Sequence, residues 1–369
     1  MERDTGLLKR LDRYIGSPLL FSIGTLRAKK SLPRQINTIG IFAFAAIGDS
    51  ILSSSLLPAL KKKFPNAKMI IFCSKANATI YSVIEGFDEL VVLPITNPLK
   101  SWAILKKYPV DVVIDTSQWF RLGALYAWLA NPKWSVGFKT KNQNRHYAYD
   151  EIVQHSVQIH ELENFQNLLI PLCCKQSETL ALRKDLKNSY ELEFVLSGES
   201  CVVFHPWASG TNSAMREWPE QSWIELAHQI QKKGLKVVIS GSNADQKRAQ
   251  ELANQINRDN SVEVVAGKVN LKELSNILLH AKACISVNTG IAHLSAALGV
   301  PTIALNGPTN SMRWGVQGKN IINLDVSKEQ GGAFLNLGFE YPSDHSYLMD
   351  KISVEAVVSA FMGFDQVKG

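Results

Sequence analysis

The sequence lacks the short motifs that mark several common kinds of site. No Cys-x-x-Cys pair occurs among its five cysteines, which argues against a zinc site or a disulfide framework. No Asp-x-Asp pair occurs, so a metal that bridges a diphosphate has no obvious carboxylate ligands, and no metal is predicted. The Gly-x-Gly-x-x-Gly dinucleotide fingerprint is missing after the first strand, and no cofactor is expected. No apolar run reaches the roughly 18 residues of a membrane span.

The composition is that of an ordinary globular protein. Of the 369 residues, 46% are hydrophobic and 20% are charged, which argues against long disorder, collagen and coiled coil. At about 150 residues per domain, this length predicts roughly two domains. The net charge of +7 favours an anionic partner such as a phosphate or a membrane surface, and no nucleic-acid partner is predicted. Cys73, Cys201 and Cys284 lie in apolar runs typical of buried thiols, so a reducing, cytoplasmic location fits best.

Residues 1–36 form a basic segment around an apolar centre. Lys9, Arg10 and Arg13 precede the run IGSPLLFSIGTL, and basic residues also follow it. A signal peptide would end in small residues instead. The pattern predicts an amphipathic segment that contacts the cytoplasmic face of the inner membrane peripherally; the alternative is a basic leader that packs on the domain or is disordered.

Strands and helices alternate in two stretches of the chain. From Thr38, buried runs such as TIGIFAFA alternate with helices, one of them predicted over GDSILSSSLLPALKKKF. The alternation restarts at CVVFH. This pattern predicts an α/β fold of two Rossmann-like domains whose parallel sheets face a central cleft, where ligands bind beyond the carboxyl ends of the strands. The predicted domains are 37–185 and 186–345, followed by a C-terminal helix in 346–369.

The first candidate site is the turn AAIGDS, which follows the first strand and opens a helix. Free backbone N–H groups are therefore expected at the carboxyl edge of the sheet. Asp49 fits two roles here, a general base at the cleft or the N-terminal cap of the helix, and these roles compete for its lone pairs. Ser50 offers an alternative cap that would leave Asp49 for catalysis.

The second candidate site is the turn in VNTGIAHLSAALG. A strand ends before Asn288, and the chain enters a helix through Thr289 and Gly290. Free N–H groups, the Thr289 hydroxyl and the permissive backbone of Gly290 suit a phosphate, whereas the alternative is a helix that Thr289 merely caps. His293 lies one turn further on, where it serves either a ligand or the structure.

A third loop, HPWASGTNSAMREWP, also follows a strand. It contains Thr211 in a polar stretch and Arg216 just before a helix start. A cation beside a helix N-terminus is unfavourable unless an anion lies between them, which indicates a bound phosphate. The alternative is a surface pair of Arg216 with Glu217 or Glu220.

A fourth loop at the same predicted edge is the tripeptide Gly267, Lys268 and Val269. Lys268 adds a cation, and Val269 suits apolar contact with a nucleotide base. Together the loops of this half predict a diphosphate site that uses protein cations and helix ends.

Several segments of the chain resemble those of one enzyme family. The strongest is NTGIAHLSAALGVPTIALNGPT, which is similar to the pattern D-[ST]-G-x-x-H-L-A-A-A-L-G-x-P-x-x-x-L-[FY]-G-P-T. IGDSILSSSLLPALKKKFPNAKM, DVVIDTSQWFR, REWP and AGKVNLKEL resemble further segments of the same family. The family is glycosyltransferase family 9, the ADP-heptose:lipopolysaccharide heptosyltransferases, and the resemblance runs from about Thr38 to Gly318.

The resemblance implies a GT-B fold and metal-independent transfer of a sugar with inversion at its anomeric carbon. It implies heptose as the sugar, ADP-heptose as the nucleotide-sugar donor, and an anionic glycolipid, the lipopolysaccharide core or a related surface glycan, as the acceptor. Carried over by position, the implied roles are Asp49 as catalytic base, Gly48 and Arg121 for the acceptor, Thr211, Arg216, Thr289 and Gly290 for the diphosphate, Asn288 and His293 for the donor sugar, and Gly267, Lys268 and Val269 for the nucleotide.

Two positions depart from the family pattern. Asn288 stands where the family usually has Asp, and Arg216 where it usually has Lys. Arg216 keeps the charge and offers two parallel hydrogen bonds. Asn288 removes a charge at the donor site, which keeps open a different donor sugar or a nucleotide-binding scaffold without catalysis. An NAD-dependent oxidoreductase is a weaker alternative because the glycine fingerprint is missing.

Overall fold

The fold is known for most of the chain from a computed structural model, which describes residue 12 and residues 14–44, 46–177, 179–188, 200–210, 212–256, 261–336 and 348–366. The chain divides into two compact units, 1–182 and 183–369. Each unit contains one parallel sheet of six strands. The predicted α/β fold with two parallel sheets is therefore confirmed.

The first sheet has the strand order β3-β2-β1-β4-β5-β6. Its strands are β1 Thr38–Ala43, β2 Lys68–Ser74, β3 Glu89–Leu93, β4 Val112–Asp115, β5 Trp134–Lys139 and β6 Glu151–Gln154. Every residue of β1 after Thr38 is buried, and because neighbouring side chains point to opposite faces, both faces of the sheet are covered. Phe42 pairs with Asp115 of β4, so these two strands end at the same edge.

Helices cover this sheet and position its loops. They are α1 Gly16–Leu26, α2 Ile47–Ser53, α3 Leu56–Lys63, α4 Pro98–Leu105, α5 Arg121–Leu129 and α6 Glu161–Asn167. Turns of 3-10 helix lie at Ala78–Ser82, Arg145–Ala148 and Ile170–Leu172. The N-terminal helix α1 packs on the unit through the buried side chains of Leu20 and Ile23.

The second sheet has the order β12-β11-β10-β7-β8-β9. Its strands are β7 Cys201–His205, β8 Lys236–Ile239, β9 Val262–Val264, β10 Ala283–Val287, β11 Thr302–Asn306 and β12 Ile321–Asp325. Counted from the first strand of each unit, both sheets share one order, that of the dinucleotide-binding Rossmann fold. Ser286 of β10 pairs with His205 of β7, so the loops after these strands start side by side.

The helices of the second unit are α7 Glu220–Gln231, α8 Gln246–Ile256, α9 Leu271–His280, α10 Gly290–Ala297, α11 Ser311–Trp314 and α12 Val354–Gln366. Turns of 3-10 helix lie at Lys184–Asn188, Ser213–Arg216, Asn243–Asp245 and Leu348–Lys351. The C-terminal helix α12 packs through Val357 and Phe361 into the main hydrophobic cluster of this unit. In the described part of the chain, no helix is both long and apolar enough to cross a bilayer.

One predicted helix is in fact two. The sequence after β1 predicts a single helix, but α2 ends at Ser53 and α3 begins at Leu56. The hydroxyls of Ser53 and Ser54 donate to the carbonyls of Ser50 and Ile51. Serine side chains that bind carbonyls of the preceding turn compete with the helical ladder, which accounts for the break.

Candidate functional site

The carboxylate of Asp49 lies in the first turn of α2, just beyond the carboxyl end of β1, and Gly48 precedes it in the same turn. Asp49 Oδ2 accepts the backbone N–H of Ala46 at 3.1 Å, and its Oδ1 accepts the side-chain amide of Gln118 at 3.3 Å. Asp49 therefore helps to cap α2. A carboxylate has about four lone-pair sites, so this use does not exclude the role of a base.

Ser50 does not cap α2, so the alternative in which it would replace Asp49 as the cap is wrong. It is the fourth residue of the helix, beyond the free N–H groups of the first turn. Its Oγ donates to the carbonyl of Ala46 at 3.0 Å and accepts from Asn77 Nδ2 at 2.8 Å. Ser50 thus links the turn after β1 to Asn77, which follows β2.

Gln118, which the sequence did not single out as a site residue, orients Asp49 from the loop between β4 and α5. It is only 4% exposed. The fully buried Arg145 side chain secures this loop by donating to the carbonyl of Ser117 and by pairing with Asp115 at 2.7 Å. Because Arg145 and Asp115 are 30 positions apart, motif spacing gave no signal for this arrangement.

Tyr149 completes the support of that loop. Its hydroxyl donates to Asp115 Oδ2 at 2.6 Å. Burial, with the neighbouring Asp115 carboxylate, holds the pKa of Tyr149 well above its usual value, although Arg145 opposes this shift. The hydroxyl therefore stays protonated and remains a donor.

Arg121 has other partners than the anionic acceptor predicted for it. Its side chain is buried and lies 3.2 Å from the Asp12 carboxylate, while Nε donates to Ser17 Oγ at 2.9 Å and Nη2 to the carbonyl of Asn142 at 3.1 Å. Asp12 Oδ1 also accepts the backbone N–H groups of Arg121 and Leu122, which caps α5. The guanidinium thus holds Asp12 and Ser17 of the N-terminal segment, and its contact with an acceptor stays a prediction.

The N-terminus of α10 lies at the carboxyl end of β10, between Thr289 and the first helical residue, Gly290. Thr289 is the N-cap residue, but its side chain makes no capping hydrogen bond. Its Oγ1 lies 3.3 Å from Ser286 Oγ instead. The simple alternative of a helix capped by Thr289 is therefore wrong, and no side chain of the described residues is seen to cap the first turn.

The neighbouring helix α9 shows the opposite arrangement. Asn270 Oδ1 accepts the N–H groups of Lys272 and Glu273, and Glu273 Oε2 accepts the N–H of Asn270 at 2.7 Å. This is a complete capping box. Within one unit, then, the loop with Lys268 leads into a helix end satisfied by its own side chains, whereas the turn at Thr289 leads into one that is not.

Asn288 is buried and held as a hydrogen-bond donor. Its Nδ2 donates to Asn306 Oδ1 at 2.6 Å and to the carbonyl of Trp314 at 3.0 Å. Asn306 Nδ2 in turn donates to Asn323 Oδ1 at 3.1 Å, and Asn323 Nδ2 to the carbonyl of Val316 at 3.1 Å. The three side-chain amides thus form a chain of hydrogen bonds in which each nitrogen donates to the next oxygen. An aspartate at position 288 would place its carboxylate against two acceptors, Asn306 Oδ1 and the Trp314 carbonyl.

The other residues predicted for the donor lie around the same edge. His293 is buried in α10 with 6% exposure. Gly267 has φ +69°, and a Cβ there would lie 3.0 Å from Cα of Asn243, so only glycine fits this turn. Lys268 is exposed and Val269 is half-buried.

Arg216 ends the 3-10 turn that precedes α7. Its Nη2 donates to the carbonyl of Ser209 at 2.6 Å, and no described residue accepts a hydrogen bond from its buried Nε. The alternative of a surface pair is wrong, because Glu217 binds Arg248 at 2.5 Å and Glu220 accepts from Gln255. Thr211, also predicted for this site, lies outside the described residues.

His205 is a further polar group at this edge that the sequence did not mark. The Ser240 hydroxyl donates to the carbonyl of Phe204 at 3.0 Å, so it must accept from Nδ1–H of His205, at 2.9 Å. This leaves Nε2 of the neutral ring as an acceptor. Burial lowers the pKa of His205 to about 4, which the Asp245 carboxylate opposes only in part.

Metal ligands and reactive thiols are not assembled in the described part of the chain. No group of three or more His, Cys, Asp or Glu side chains is placed there to hold a metal ion. Burial raises the pKa of the Cys73 and Cys284 thiols to about 12, so both remain protonated and unreactive.

More than half of the chain is similar to one known protein family. The profile of glycosyltransferase family 9 (heptosyltransferase) matches residues 99–334. The chain belongs to glycosyltransferase family 9. That assignment covers the loop with Gln118 and all the donor-side loops described above.

A curated relative is similar to part of this family 9 chain. Over 116 residues, the chain is 38% identical to lipopolysaccharide heptosyltransferase 1 of Pseudomonas aeruginosa, a match that spans 31% of the chain and 32% of that relative. The match thus covers only about a third of the relative's length.

Solved structures resemble the chain over most of its length. A family 9 glycosyl transferase from Veillonella parvula has a TM-score of 0.73 at 19% identity and covers 91% of this chain and 98% of its own. The Escherichia coli heptosyltransferase WaaC with ADP-2-deoxy-2-fluoro heptose has a TM-score of 0.65 at 20% identity and covers 88% and 99%. At these identities the likeness shows the fold, which is GT-B.

Proposed function

We propose that this chain transfers a sugar from a nucleotide-diphosphate donor to a hydroxyl of a surface-glycan acceptor, with inversion. The proposed sugar is heptose, the donor ADP-heptose, and the acceptor the lipopolysaccharide core or a related anionic glycolipid. Family membership supports the class of reaction, and the fold shared with a heptosyltransferase solved with an ADP-heptose analogue supports the donor. The observation that carries the proposal is the half-buried Asp49 carboxylate, held by Ala46 and Gln118 at the edge of a Rossmann-like sheet.

Asp49 acts as the general base in this proposal. The acceptor oxygen attacks C1 of the donor sugar while its proton passes to the Asp49 carboxylate. The bond from C1 to the diphosphate oxygen breaks, and its electron pair leaves with the nucleotide diphosphate. A positioned base contributes about 10²–10⁴-fold to the rate. Attack on the face opposite the diphosphate inverts the anomeric carbon, and Gly48 leaves room for the acceptor beside Asp49.

The departing diphosphate is stabilised by groups of the second unit. The uncapped N–H groups at Thr289 and Gly290 supply the positive end of α10. Arg216, Lys268 and Thr211 add positive charge and a hydroxyl. Such fixed donors and charges stabilise the charge that develops in the transition state, so this arrangement supports transfer without a metal.

The remaining donor contacts follow from the same edge. Because both hydrogens of Asn288 Nδ2 are used within the protein, we assign its Oδ1 to a sugar hydroxyl, with His293 beside it in α10. Gly267 and Val269 border the nucleotide base. On the acceptor side, we propose that residues 1–36 contact the membrane peripherally, which the exposed side chains of Tyr14 and Ile15 support.

Asp49→Asn is the test of this function, because it removes the base and keeps the size and the acceptor oxygen of the side chain. We expect turnover of ADP-heptose to fall by about 10²–10⁴-fold while ADP affinity, measured by calorimetry, stays unchanged. Glu151→Gln, an exposed carboxylate of β6, is the matched control and should keep full turnover. Near-normal turnover of Asp49→Asn would reject the base. Nucleotide binding without any product from the wild type would identify a nucleotide-binding scaffold instead.

A further inference from the structure

Three helices cover one face of the first sheet. The buried side chains of α1 (Leu20, Ile23), α4 (Leu105) and α5 (Ala124, Ala127) belong to one hydrophobic cluster that includes residues of β1, β2 and β4. Helices α1 and α4 both pack against α5. We call α1 with the two residues before it, α4 and α5 the outer helix layer.

The outward side of the outer helix layer is apolar. Of the twelve exposed large hydrophobic side chains in the described residues, seven lie on it, so they are concentrated rather than scattered. They are Tyr14, Ile15, Leu19, Phe21, Leu99, Trp102 and Trp128. The ammonium of Lys106 lies 3.6 Å from the centre of the Trp102 ring, so cations and aromatic rings share this surface.

The segments that contain the outer helix layer carry charge of one sign. Residues 14–48, 94–110 and 116–149, which contain its three helices, include no Asp or Glu. Their exposed lysines include Lys29, Lys30, Lys100, Lys106 and Lys107. Soluble surfaces normally intersperse both signs, as α8 does with its Lys247 and Glu251 pair.

Carboxylates at the margin of the layer are already paired with cations. Asp12 pairs with Arg121 at 3.2 Å, and Asp111 with Lys133 at 2.7 Å. Asp150, whose side chain is fully buried, pairs with Arg27 at 2.6 Å. Among the described residues, no carboxylate pairs with the five exposed lysines named above, so their positive charge faces outwards.

Helix α1 is a fixed part of this surface. Gly24 packs so closely on Tyr147 that a Cβ would lie 2.6 Å from a ring carbon. Phe21 meets the Tyr147 ring edge to face at 5.2 Å between centroids. The contacts of Arg27 with Asp150 hold the end of the helix. Because these contacts hold α1 on the unit, its exposed apolar side chains belong to the surface of the folded domain.

We propose that the outer helix layer docks on an anionic lipid bilayer. Aromatic rings suit the interfacial depth of a membrane, and lysine stems lie along apolar surface while their ammonium groups reach lipid phosphates. A nucleic-acid duplex offers phosphates but no apolar chains for seven exposed hydrophobic side chains. The inference extends the contact proposed for residues 1–36 to two helices far away in sequence, and it does not depend on the identity of the sugar.

Vesicle co-sedimentation of the full chain tests this docking. At about 0.15 M salt, we expect binding to vesicles of phosphatidylethanolamine and phosphatidylglycerol in equal parts to exceed binding to phosphatidylcholine vesicles by about tenfold or more. Combined Leu99→Ser and Trp102→Ser should lower binding about tenfold, and so should combined Lys100→Gln, Lys106→Gln and Lys107→Gln. Combined Ile170→Ser and Met312→Ser, exposed apolar residues outside the layer, are the matched control and should bind like wild type.

The outcomes separate docking from sugar transfer. An unchanged far-UV circular dichroism spectrum and an unchanged urea midpoint show that the lysine variant is folded, so its loss of vesicle binding supports the proposal. Equal binding of layer and control variants, equal binding to both kinds of vesicle, or tighter binding to a DNA duplex than to anionic vesicles would overturn it. Vesicle binding without any transfer activity supports the docking and rejects only the enzymatic function.

Discussion

Two helices of this molecule, α2 and α10, each begin just after a buried central strand but treat their free N–H groups in opposite ways. Both α2 and α10 follow a buried strand of a Rossmann-like sheet. In α2, Asp49 reaches back to the N–H of Ala46, so the helix supplies its own negative charge. In α10, Thr289 makes no capping bond, so the positive helix end is not satisfied by a side chain. The start of α2 therefore suits the base proposed in the first unit, and the start of α10 suits the diphosphate site proposed in the second.

The difference rests on which residue type occupies the first turn. A carboxylate at the third helical position can accept backbone N–H groups and also a substrate proton. A threonine whose hydroxyl lies near Ser286 does not cap its helix, so the helix amides are available to the diphosphate that we propose. Placing carboxylates at the start of α10 is therefore the direct way to break this contrast.

The largest effect is expected for Thr289→Asp. An aspartate at the N-cap should accept the first-turn N–H groups of α10 and oppose the diphosphate, so ADP affinity should fall about a hundredfold. The free energy of unfolding should rise by about 1 kcal/mol at the same time. Calorimetry and urea denaturation measure the two effects, and Thr289→Asn caps without charge as a control. Wild-type ADP affinity in Thr289→Asp would refute an anion site at this helix end.

The buried His205 of the second unit should make the free energy of unfolding depend on pH. Its pKa is lowered to about 4 in the folded protein, against about 6.5 when unfolded, so only the unfolded state gains the proton between these values. Stability should therefore fall on acidification, by about 2 kcal/mol between pH 7 and pH 5. Urea denaturation should show this slope in wild type and its loss in His205→Asn. An equal slope in both proteins would mean that His205 does not titrate as its burial requires.

The smallest effect is expected for Asn288→Asp, one position before the N-cap residue Thr289 of α10. Asn288→Asp would turn two donated hydrogen bonds into contacts of a carboxylate with the acceptors Asn306 Oδ1 and the Trp314 carbonyl. We expect a loss of about 1–2 kcal/mol in the free energy of unfolding. Asn254→Asp, at an exposed position of α8 where the side-chain oxygen accepts from Gln250, is the control and should keep wild-type stability. Unchanged stability of Asn288→Asp would show that the amide chain reverses its direction at little cost.

Central strands were predictable because burial on both faces of the sheet requires a continuous run of apolar residues, as in β1. Edge strands were harder: β6 is short and partly exposed, so its sequence EIVQ carries no such signal. The break between α2 and α3 was missed because it depends on serine hydroxyls that bind helix carbonyls. A helical period alone does not show that competition.

The residues of the candidate site were likewise predictable in part: those in local motifs were, and those placed by contacts between distant segments were not. Local motifs predicted that Asp49, Asn288 and Thr289 follow strand ends, which the structure shows, because strand ends and helix starts are visible in sequence. Contacts between distant segments were not visible: Gln118 reaches Asp49 across 69 positions, and Arg121 meets a residue of the N-terminal segment. Burial and long-range pairing decide such roles, and neither follows from spacing.

The pair of Arg121 and Asp12 has a practical consequence for handling the protein. Deleting the first residues to improve expression would strip a buried guanidinium of its carboxylate and uncap α5, a loss of about 3–5 kcal/mol for a buried pair. A shortened chain should therefore keep Asp12.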